Sequence, residues 1–370
     1  MERKIILILT IITLWLSGFL NISNIYSQST NETAYVYSST VVYINRENND
    51  IILDKGYRTF NIFMNTSWQT VYLLSTSHTY KTTKDAEGNP IIILGSSSVP
   101  HGGNITLKLS LRIVPIQRKP PYLNFSASGN ISDIPKELQQ ECTTGTGTWL
   151  IDNQTLRELA FQIREKKTNV LEIVTSLSNW IGNNIVDYSS DIPRYPTETY
   201  DSKKGDCDDK ANLLITFCRI LGIPAYLQVG SLKTSSQNKE TYWDGHVLYS
   251  TKYISYHGWA IIYIPTWGWL PFDMTLGWKR SDSLGVVTSA PIWNYETFQI
   301  MNITKSDWAG EGRAEKEATI KNQLYFQYED TLIKEEAIEP WYTAEWLLLS
   351  TTATTAILII VIIRVYIKKH

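Results

Sequence analysis

The stretch from Lys204 to Gly230, KGDCDDKANLLITFCRILGIPAYLQVG, constrains the fold of this chain more than any other. It predicts a helix with one strongly apolar side, and this helix must end at the LGIP sequence of residues 221–224. Glycine suits the left-handed position that follows a helix, and proline prevents its continuation. The apolar run from Ala225 to Val229 then predicts a short strand. Cys207 therefore lies at the first helical turn, where unpaired N–H groups and the helix dipole favour a thiolate.

Two regions of different character surround this stretch. Residues 28–135 contain short runs rich in β-branched and aromatic residues, such as TAYVYSSTVVYI and ITLKLSLRIVPI, which are separated by turn-forming sequences. This pattern predicts a β-sandwich domain. Residues 150–280 combine three helical patterns with later strand candidates and a polar loop or hairpin at 231–253, which predicts an α+β domain with helices packed on an antiparallel sheet. Residues 281–344 are predicted to be a trailing segment and stalk.

Both ends of the chain are apolar. A basic start followed by an apolar run predicts a signal peptide or an N-terminal anchor over residues 1–27. The apolar run from Trp346 to Ile367 is long enough to cross a bilayer, and Arg364 is the one charged residue inside it, which predicts a C-terminal transmembrane helix over residues 345–367. Lys368 and Lys369 indicate that the C-terminus is cytoplasmic. The sequence thus predicts a protein of the cell membrane with its main domains outside the cytoplasm.

N-glycosylation sequons are compatible with such an outer location. Each consists of Asn, any residue except proline, and Ser or Thr, and it marks an exposed loop in a secreted protein. The candidate acceptors are Asn31, Asn65, Asn104, Asn124, Asn130, Asn153 and Asn302.

The composition excludes several classes of function. The chain has 34 Lys and Arg and 36 Asp and Glu residues, a balance that gives no case for a nucleic-acid partner. Its 5 His and 3 Cys residues show no paired metal-ligand spacing, so we predict no metal site and no cofactor. Cys207 and Cys218 lie about 16 Å apart on one helix, too far for a disulfide. The sequence leaves the pairing of Cys142 open.

Three residues form a candidate catalytic set. Cys207 begins a helix, His257 begins the strand candidate HGWAIIYIP, and Asp273 ends the next strand candidate in WLPFDMT. A hairpin at 265–268 places the histidine and the aspartate side by side on neighbouring antiparallel strands. The imidazole can then accept the thiol proton while the carboxylate fixes the imidazole tautomer. The backbone N–H of Cys207 or Asp208 can face a developing oxyanion.

The acidic residues around Cys207 act against this chemistry. Asp206, Asp208 and Asp209 place negative charge beside the thiol, which raises the pKa of a cysteine. Two explanations remain open. An imidazolium partner can outweigh these charges, or some of the carboxylates turn away to cap the helix or to pair with Lys210.

The order and spacing of these motifs resemble the transglutaminase-like superfamily of papain-like cysteine enzymes, of the membrane-anchored archaeal or bacterial type. The resemblance covers about residues 152–277 and implies a papain-like fold with a Cys-His-Asp set. The motifs that carry it are Gly205-Asp-Cys207-Asp-Asp209-Lys-Ala211, Leu221-Gly-Ile-Pro-Ala225, His257-Gly-Trp259 and Trp269-Leu-Pro-Phe-Asp273-Met-Thr275.

The sequence also departs from the family pattern. Met274 stands where a proline is common after the aspartate, which affects the strand exit more than the chemistry. No clustered carboxylates suggest the calcium sites of animal transglutaminases, so the resemblance implies no calcium here. Those enzymes use an upstream tryptophan at the oxyanion, and the resemblance makes Trp180 the candidate for that role.

Together these features predict a membrane-anchored, extracytoplasmic thiol enzyme that acts on peptide or side-chain amide bonds. A protein or peptide substrate forms an acyl-enzyme at Cys207, and water or an amine then resolves it. The alternative hypothesis is a non-catalytic cell-surface module that uses the same fold for binding or assembly. The sequence leaves the substrate, the acceptor and the oligomeric state open.

Overall fold

The described part of the chain in the computed structural model, residues 33–95, 98–279, 281–294, 296–335 and 364, mixes strands with helices. Residues Ala34–Ile333 cluster into one unit. The strands of its first part are β1 (Tyr35–Asn45), β2 (Ile51–Ile52), β3 (Thr59–Asn61), β4 (Gln69–Thr76), β5 (Tyr80–Lys84), β6 (Pro90–Leu94), β7 (Ser98–Val99) and β8 (Asn104–Pro115). The later strands are β9 (Val186–Asp187), β10 (Lys204–Gly205), β11 (Ala225–Tyr242), β12 (Val247–Ile264), β13 (Gly268–Phe272), β14 (Thr297–Ile303) and β15 (Leu324–Lys334).

Four of the described helices begin directly after a side chain that caps them. Asn153 accepts a hydrogen bond from the N–H of Leu156, and Asn169 accepts one from the N–H of Glu172, so two of the helices begin directly after these residues. The helices are α1 (Lys136–Cys142), α2 (Gln154–Arg164), α3 (Val170–Asn184), α4 (Pro196–Ser202), α5 (Cys207–Ile220), α6 (Gly285–Thr288) and α7 (Trp308–Lys321).

One large sheet joins strands from both parts of the chain. Its order is β14-β11-β12-β15-β1-β8-β4, and β13 also pairs with β12. The residues that the sequence assigns to a polar loop or hairpin continue β11 and β12 into a long antiparallel hairpin, with a register irregularity between Lys233 and Gln237. Strand β15 runs parallel to β12. A separate three-stranded sheet has the order β3-β6-β5.

The sheet order differs from the arrangement in which a β-sandwich simply precedes the helical region. Strand β15 comes from the trailing segment, yet it lies between β12 and β1 and connects the early strands to those that follow α5. One hydrophobic core therefore contains Tyr35 and Leu109 from the early strands together with Phe298 and Phe326 from the late ones. Pairing between strands so far apart in the sequence leaves no local pattern, which is why the sequence does not predict it.

Helix α5 is the centre of the second core. Every residue from Asp209 to Ile220 is buried, whereas the sequence predicts one apolar side. Some polar atoms of its buried residues have hydrogen-bond partners, although Nδ2 of Asn212 has none. Asn212 accepts a hydrogen bond from the indole of Trp149 at 3.1 Å, and the Arg219 guanidinium donates to the carbonyl of Ala225 at 2.9 Å. A helix held on all sides gives Cys207 a rigid support.

The prediction of a C-terminal transmembrane helix is wrong for what the structure describes, since no described helix is long and apolar enough to cross a membrane. Of residues 345–367, all except Arg364 lie outside the described residues. The prediction depended on the length and hydropathy of an apolar run, which are properties of composition and not of a folded helix. The membrane localisation that depended on this helix is corrected with it. The predicted signal segment 1–27 and the sequon at Asn31 also lie outside the described residues.

Candidate active site

The N-terminus of α5 orders the acidic residues around Cys207. Asp206 is the N-cap residue and accepts a hydrogen bond from the N–H of Asp209 at 3.5 Å. The Asp209 carboxylate accepts the N–H of Asp206 in return at 3.4 Å, which makes a reciprocal capping box. Cys207 is the first residue of the helix, and its side chain is half-buried. Two of the three aspartates are thus turned toward the helix end.

Asp209 and Lys210, in the first turn of α5, also bind residues outside this helix. The Asp209 carboxylate accepts the N–H of Arg194 at 2.8 Å, and the Arg194 guanidinium lies 3.9 Å from it. The Lys210 ammonium pairs with Asp187 and not with the aspartates that flank Cys207. Helix capping therefore accounts for Asp206 and Asp209, and the pairing with Lys210 that the sequence left open does not occur.

His257 and Asp273 lie side by side because β12 and β13 form the hairpin that the sequence predicts. The Nε2 atom of His257 lies 2.5 Å from Oδ2 of Asp273, and both side chains are buried. The other oxygen of Asp273 accepts the backbone N–H groups of Thr275 at 2.9 Å and Leu276 at 2.7 Å. A histidine whose Nε2–H donates to the carboxylate keeps Nδ1 as its basic nitrogen.

The backbone of β12 reaches the start of α5 at Gly258. A Cβ atom added at Gly258 would lie 2.9 Å from Cβ of Asp208, closer than side-chain atoms normally approach, so the contact requires glycine. The N–H of Gly258 donates a hydrogen bond toward the Cys207 sulfur. Cys207, Asp208 and His257 line one cavity of about 620 Å³. The structure thus brings the predicted cysteine to the strand that carries the predicted histidine.

The pKa values of Cys207 and Asp273 are shifted in opposite directions. Burial, followed by the charges of Asp208 and Asp206, raises the pKa of the Cys207 thiol, and the N–H groups of Gly258 and Asp208 act in the other direction. Burial acts to raise the pKa of Asp273, but hydrogen bonds from His257 and the backbone hold it below its usual range. The carboxylate of Asp273 is therefore kept ionised, while the thiol needs a base to lose its proton.

Trp308, which the sequence does not single out, is a tryptophan beside Cys207. It begins α7, and its indole Nε1 donates to Oδ2 of Asp208 at 2.6 Å. Trp180, the oxyanion candidate, instead stacks on Tyr200 at 6.1 Å between ring centroids and packs against Phe217, and it does not line the cavity with Cys207. We therefore leave Trp180 out of the candidate site.

Asp206, Cys207 and Asp208 could approach a metal ion, since one potential ligand atom of each lies within 4.8 Å of the others. Two of the three already have other roles. The Asp206 carboxylate caps α5, and the Asp208 carboxylate accepts from Trp308. We assign no metal to this group.

The sequons within the described residues divide by exposure. Asn65, Asn104, Asn124 and Asn130 are exposed. Asn153, which caps α2, and Asn302, which accepts a hydrogen bond from Gln228 at 2.6 Å, are only partly exposed. Glycosylation at any of these positions stays a prediction.

Replacing Asp208 with asparagine is expected to make Cys207 more reactive. Burial and the charges of Asp206 and Asp209 raise the pKa of Asp208, and in its ionised form this carboxylate raises the pKa of the Cys207 thiol. Asparagine cannot carry that charge, while its amide oxygen can still accept from Trp308. The pH profile of Cys207 alkylation by iodoacetamide should move to lower pH, and the rate near neutral pH should rise at least about threefold. The exposed Asp201→Asn is the matched control and should leave the profile in place. An unchanged profile in Asp208→Asn would contradict the electrostatic account.

Comparison with known proteins identifies the region that carries the site. Residues 157–274 match the model of the transglutaminase-like superfamily. The chain is 26% identical over 133 residues to the uncharacterized protein YebA of Bacillus subtilis strain 168, and the match covers 34% of this chain. The match spans only 18% of the length of YebA. A candidate cysteine protease of known structure from Cytophaga hutchinsonii shares 16% identity and a TM-score of 0.51, over 85% of this chain and 93% of that one. At this identity the likeness shows a shared fold.

Proposed function

Because residues 157–274 match the model of the transglutaminase-like superfamily, we propose that this chain is a thiol hydrolase that cleaves peptide or side-chain amide bonds through an acyl-enzyme at Cys207. One observation carries the proposal. The imidazole of His257 is bound at Nε2 by the buried, ionised Asp273, and the neighbouring Gly258 N–H points at the sulfur of Cys207. This arrangement supplies a nucleophile, a base with a free Nδ1 atom, and a group that orients the base.

The first half of the reaction forms the acyl-enzyme. Nδ1 of His257 accepts the proton of the Cys207 thiol, and the sulfur attacks the carbonyl carbon of the amide to form a C–S bond. The carbonyl oxygen becomes negatively charged, and the N–H groups of Cys207 and Asp208 at the start of α5 are the donors that we propose for it. When the C–N bond breaks, the imidazolium returns its proton to the leaving amine. Asp273 stabilises the imidazolium while it exists.

The second half releases the acyl group. The leaving amine departs, and water takes its place beside His257. The imidazole accepts one proton from this water, the oxygen attacks the thioester carbon, and the C–S bond breaks. The proton returns to the sulfur, which restores the thiol and releases a carboxylic acid. The raised pKa of Cys207 fits this cycle, because the thiol is the resting form and the proton moves only when a substrate is attacked.

Mass spectrometry of peptides incubated with the full chain tests this proposal. Glutamine-containing peptides are incubated with and without methylamine, next to the Cys207→Ala variant. We expect hydrolysis products that need Cys207 and that persist when methylamine is present. Methylamine-bearing products would instead show that the acyl-enzyme is transferred to amines.

The same experiment separates the enzyme from a binding module. If no peptide is altered, and iodoacetamide labels Cys207 no faster in the folded protein than in the denatured chain, the hydrolase proposal fails. The fold would then serve binding or assembly.

A further inference from the structure

The cavity at Cys207 extends well beyond the reacting groups. Its wall is largely aromatic, with tyrosines supplied by β1, β12 and β15. The two strands β1 and β15 lie outside the region that matches the superfamily model, so this part of the wall is a feature of the chain itself. A substrate whose carbonyl carbon lies at the sulfur of Cys207 can place a neighbouring side chain among these rings.

One carboxylate, that of Asp330 on β15, lines the aromatic part of the cavity. Its residue is 4% exposed, and it accepts hydrogen bonds from the hydroxyl groups of Tyr37 at 3.1 Å, Tyr249 at 3.2 Å and Tyr256 at 2.8 Å. These hydroxyls satisfy the oxygen atoms but bring no positive charge. A buried carboxylate without a counter-charge is unfavourable in a protein interior. Asp330 accordingly has its pKa raised by burial, against the effect of these hydrogen bonds.

The rest of the cavity supplies no cation for Asp330. Among the described residues that line it there is no Lys or Arg, whereas Asp191, Asp208 and Glu315 do line it. Asp191 has its own partner, the Lys316 ammonium at 2.6 Å, and Asp208 is bound by Trp308. A second cavity of about 400 Å³ shares Trp308 and Glu315 with the first, and its described lining is also acidic and without Lys or Arg. The described walls of both cavities therefore carry carboxyl groups and no Lys or Arg side chain that could neutralise Asp330.

We propose that Asp330 and the tyrosine rings around it bind a basic side chain, lysine or arginine, of the peptide substrate, next to the amide bond that Cys207 attacks. This inference rests on the proposed hydrolase function. Aromatic faces attract a cation, and a carboxylate forms a charge-assisted hydrogen bond with an ammonium or a guanidinium. The incoming charge also compensates the buried carboxylate. A neutral side chain of the same length gains the aromatic contacts alone.

This site selects the substrate and is distinct from an acceptor site for amine transfer. An amine that attacks a thioester must be unprotonated, but a carboxylate stabilises the protonated ammonium. A lysine held by Asp330 is therefore a poor nucleophile. The lysine that Asp330 binds therefore belongs to the substrate whose amide bond Cys207 attacks.

Two measurements on the full chain test the proposal. The first compares kcat/KM for peptides that differ at one position, with lysine, arginine or norleucine scanned along both sides of the cleaved amide. The second measures binding of N-acetyl-lysine methylamide and its norleucine analogue to the Cys207→Ala protein by calorimetry, which requires no turnover. We expect a preference of at least about tenfold for the basic side chain at one position in both measurements.

Substitution of Asp330 identifies the group responsible. Asp330→Asn should reduce the ratio of kcat/KM for the lysine peptide to that for the norleucine peptide to near one. Glu329→Gln, which removes an exposed carboxylate from the same strand, should retain this ratio. Should Asp330→Asn fail to fold by near-ultraviolet circular dichroism, Asp330→Glu is the second variant. It extends the carboxylate by one methylene and should move the preference from lysine toward the shorter ornithine.

Each outcome decides for or against the proposal. Equal values for lysine and norleucine at every position overturn it, and so does a preference that survives in Asp330→Asn or an unchanged lysine-to-ornithine ratio in Asp330→Glu. Binding that prefers lysine without turnover of any peptide defeats the hydrolase function and leaves the cation site in place. Turnover of peptides without a preference for lysine supports the hydrolase function and overturns the cation site.

Discussion

Replacing Cys207 with alanine is expected to lower kcat/KM for any amide substrate by about 10⁴-fold or more, because no other group at the start of α5 can form the thioester. The loss should appear in kcat, since the sulfur forms its bond only as the substrate reacts. The substitution removes one half-buried sulfur and leaves the capping box of Asp206 and Asp209 intact, so the thermal midpoint should change little. Steady-state kinetics on the best peptide substrate, with thermal unfolding beside it, provide the measurement.

The matched control is Cys142→Ala. Cys142 is also half-buried, ends the short helix α1 and does not line the cavity at His257. Its replacement should leave kcat/KM within about twofold of the wild type. If Cys207→Ala retains more than about a hundredth of the activity, or if Cys142→Ala loses as much, then Cys207 is not the nucleophile.

The local elements of the site could be predicted from the sequence because each has a local cause. The LGIP sequence ends α5 at Ile220, and Gly222 has the positive φ of 76° that a glycine after a helix adopts. The turn at 265–268 makes β12 and β13 neighbours, and this alone brings His257 to Asp273. The match of residues 157–274 confirms the superfamily that these motifs resemble.

The orientation of the acidic residues needed the structure. Their positions in the sequence are equally compatible with repulsion of a thiolate and with capping of the helix. The choice depends on Arg194, which comes from the preceding loop and binds Asp209, and on Trp308, which binds Asp208 from α7. Asp307 before Trp308 does indicate a helix start, but no spacing relates that helix to Cys207.

The aromatic cavity could not be predicted for a related reason. Tyr37 and Asp330 are 293 residues apart in the chain, and they meet because β15 inserts between β1 and β12. The sequence reads β15 as part of a trailing segment and β1 as part of a scaffold. In both strands buried and more exposed residues largely alternate, which is a local pattern. The pairing of distant strands is instead decided by the packing of the whole sheet.

Replacing Asp273 with asparagine is expected to lower kcat/KM by about 10³- to 10⁴-fold through the tautomer of His257, by analogy with the aspartate of serine-protease triads. Oδ1 of Asp273 accepts the N–H groups of Thr275 and Leu276, so the asparagine oxygen should keep that position. The NH₂ group then occupies the place of Oδ2 and donates to Nε2 of His257. The imidazole must carry its proton on Nδ1, where it can no longer accept the thiol proton.

Two further readouts separate this effect from a loss of structure. Alkylation of Cys207 at neutral pH should slow together with kcat. The lowered pKa of Asp273 means that the wild type loses stability as the pH falls below the ordinary range of an aspartate and through the lower pKa of the folded protein, where the carboxylate becomes protonated. The asparagine variant should lack this part of the pH dependence. The exposed Asp282→Asn is the control and should leave kcat/KM near the wild-type value. A loss of less than about tenfold in a folded Asp273→Asn protein would show that the carboxylate does not set the tautomer of His257.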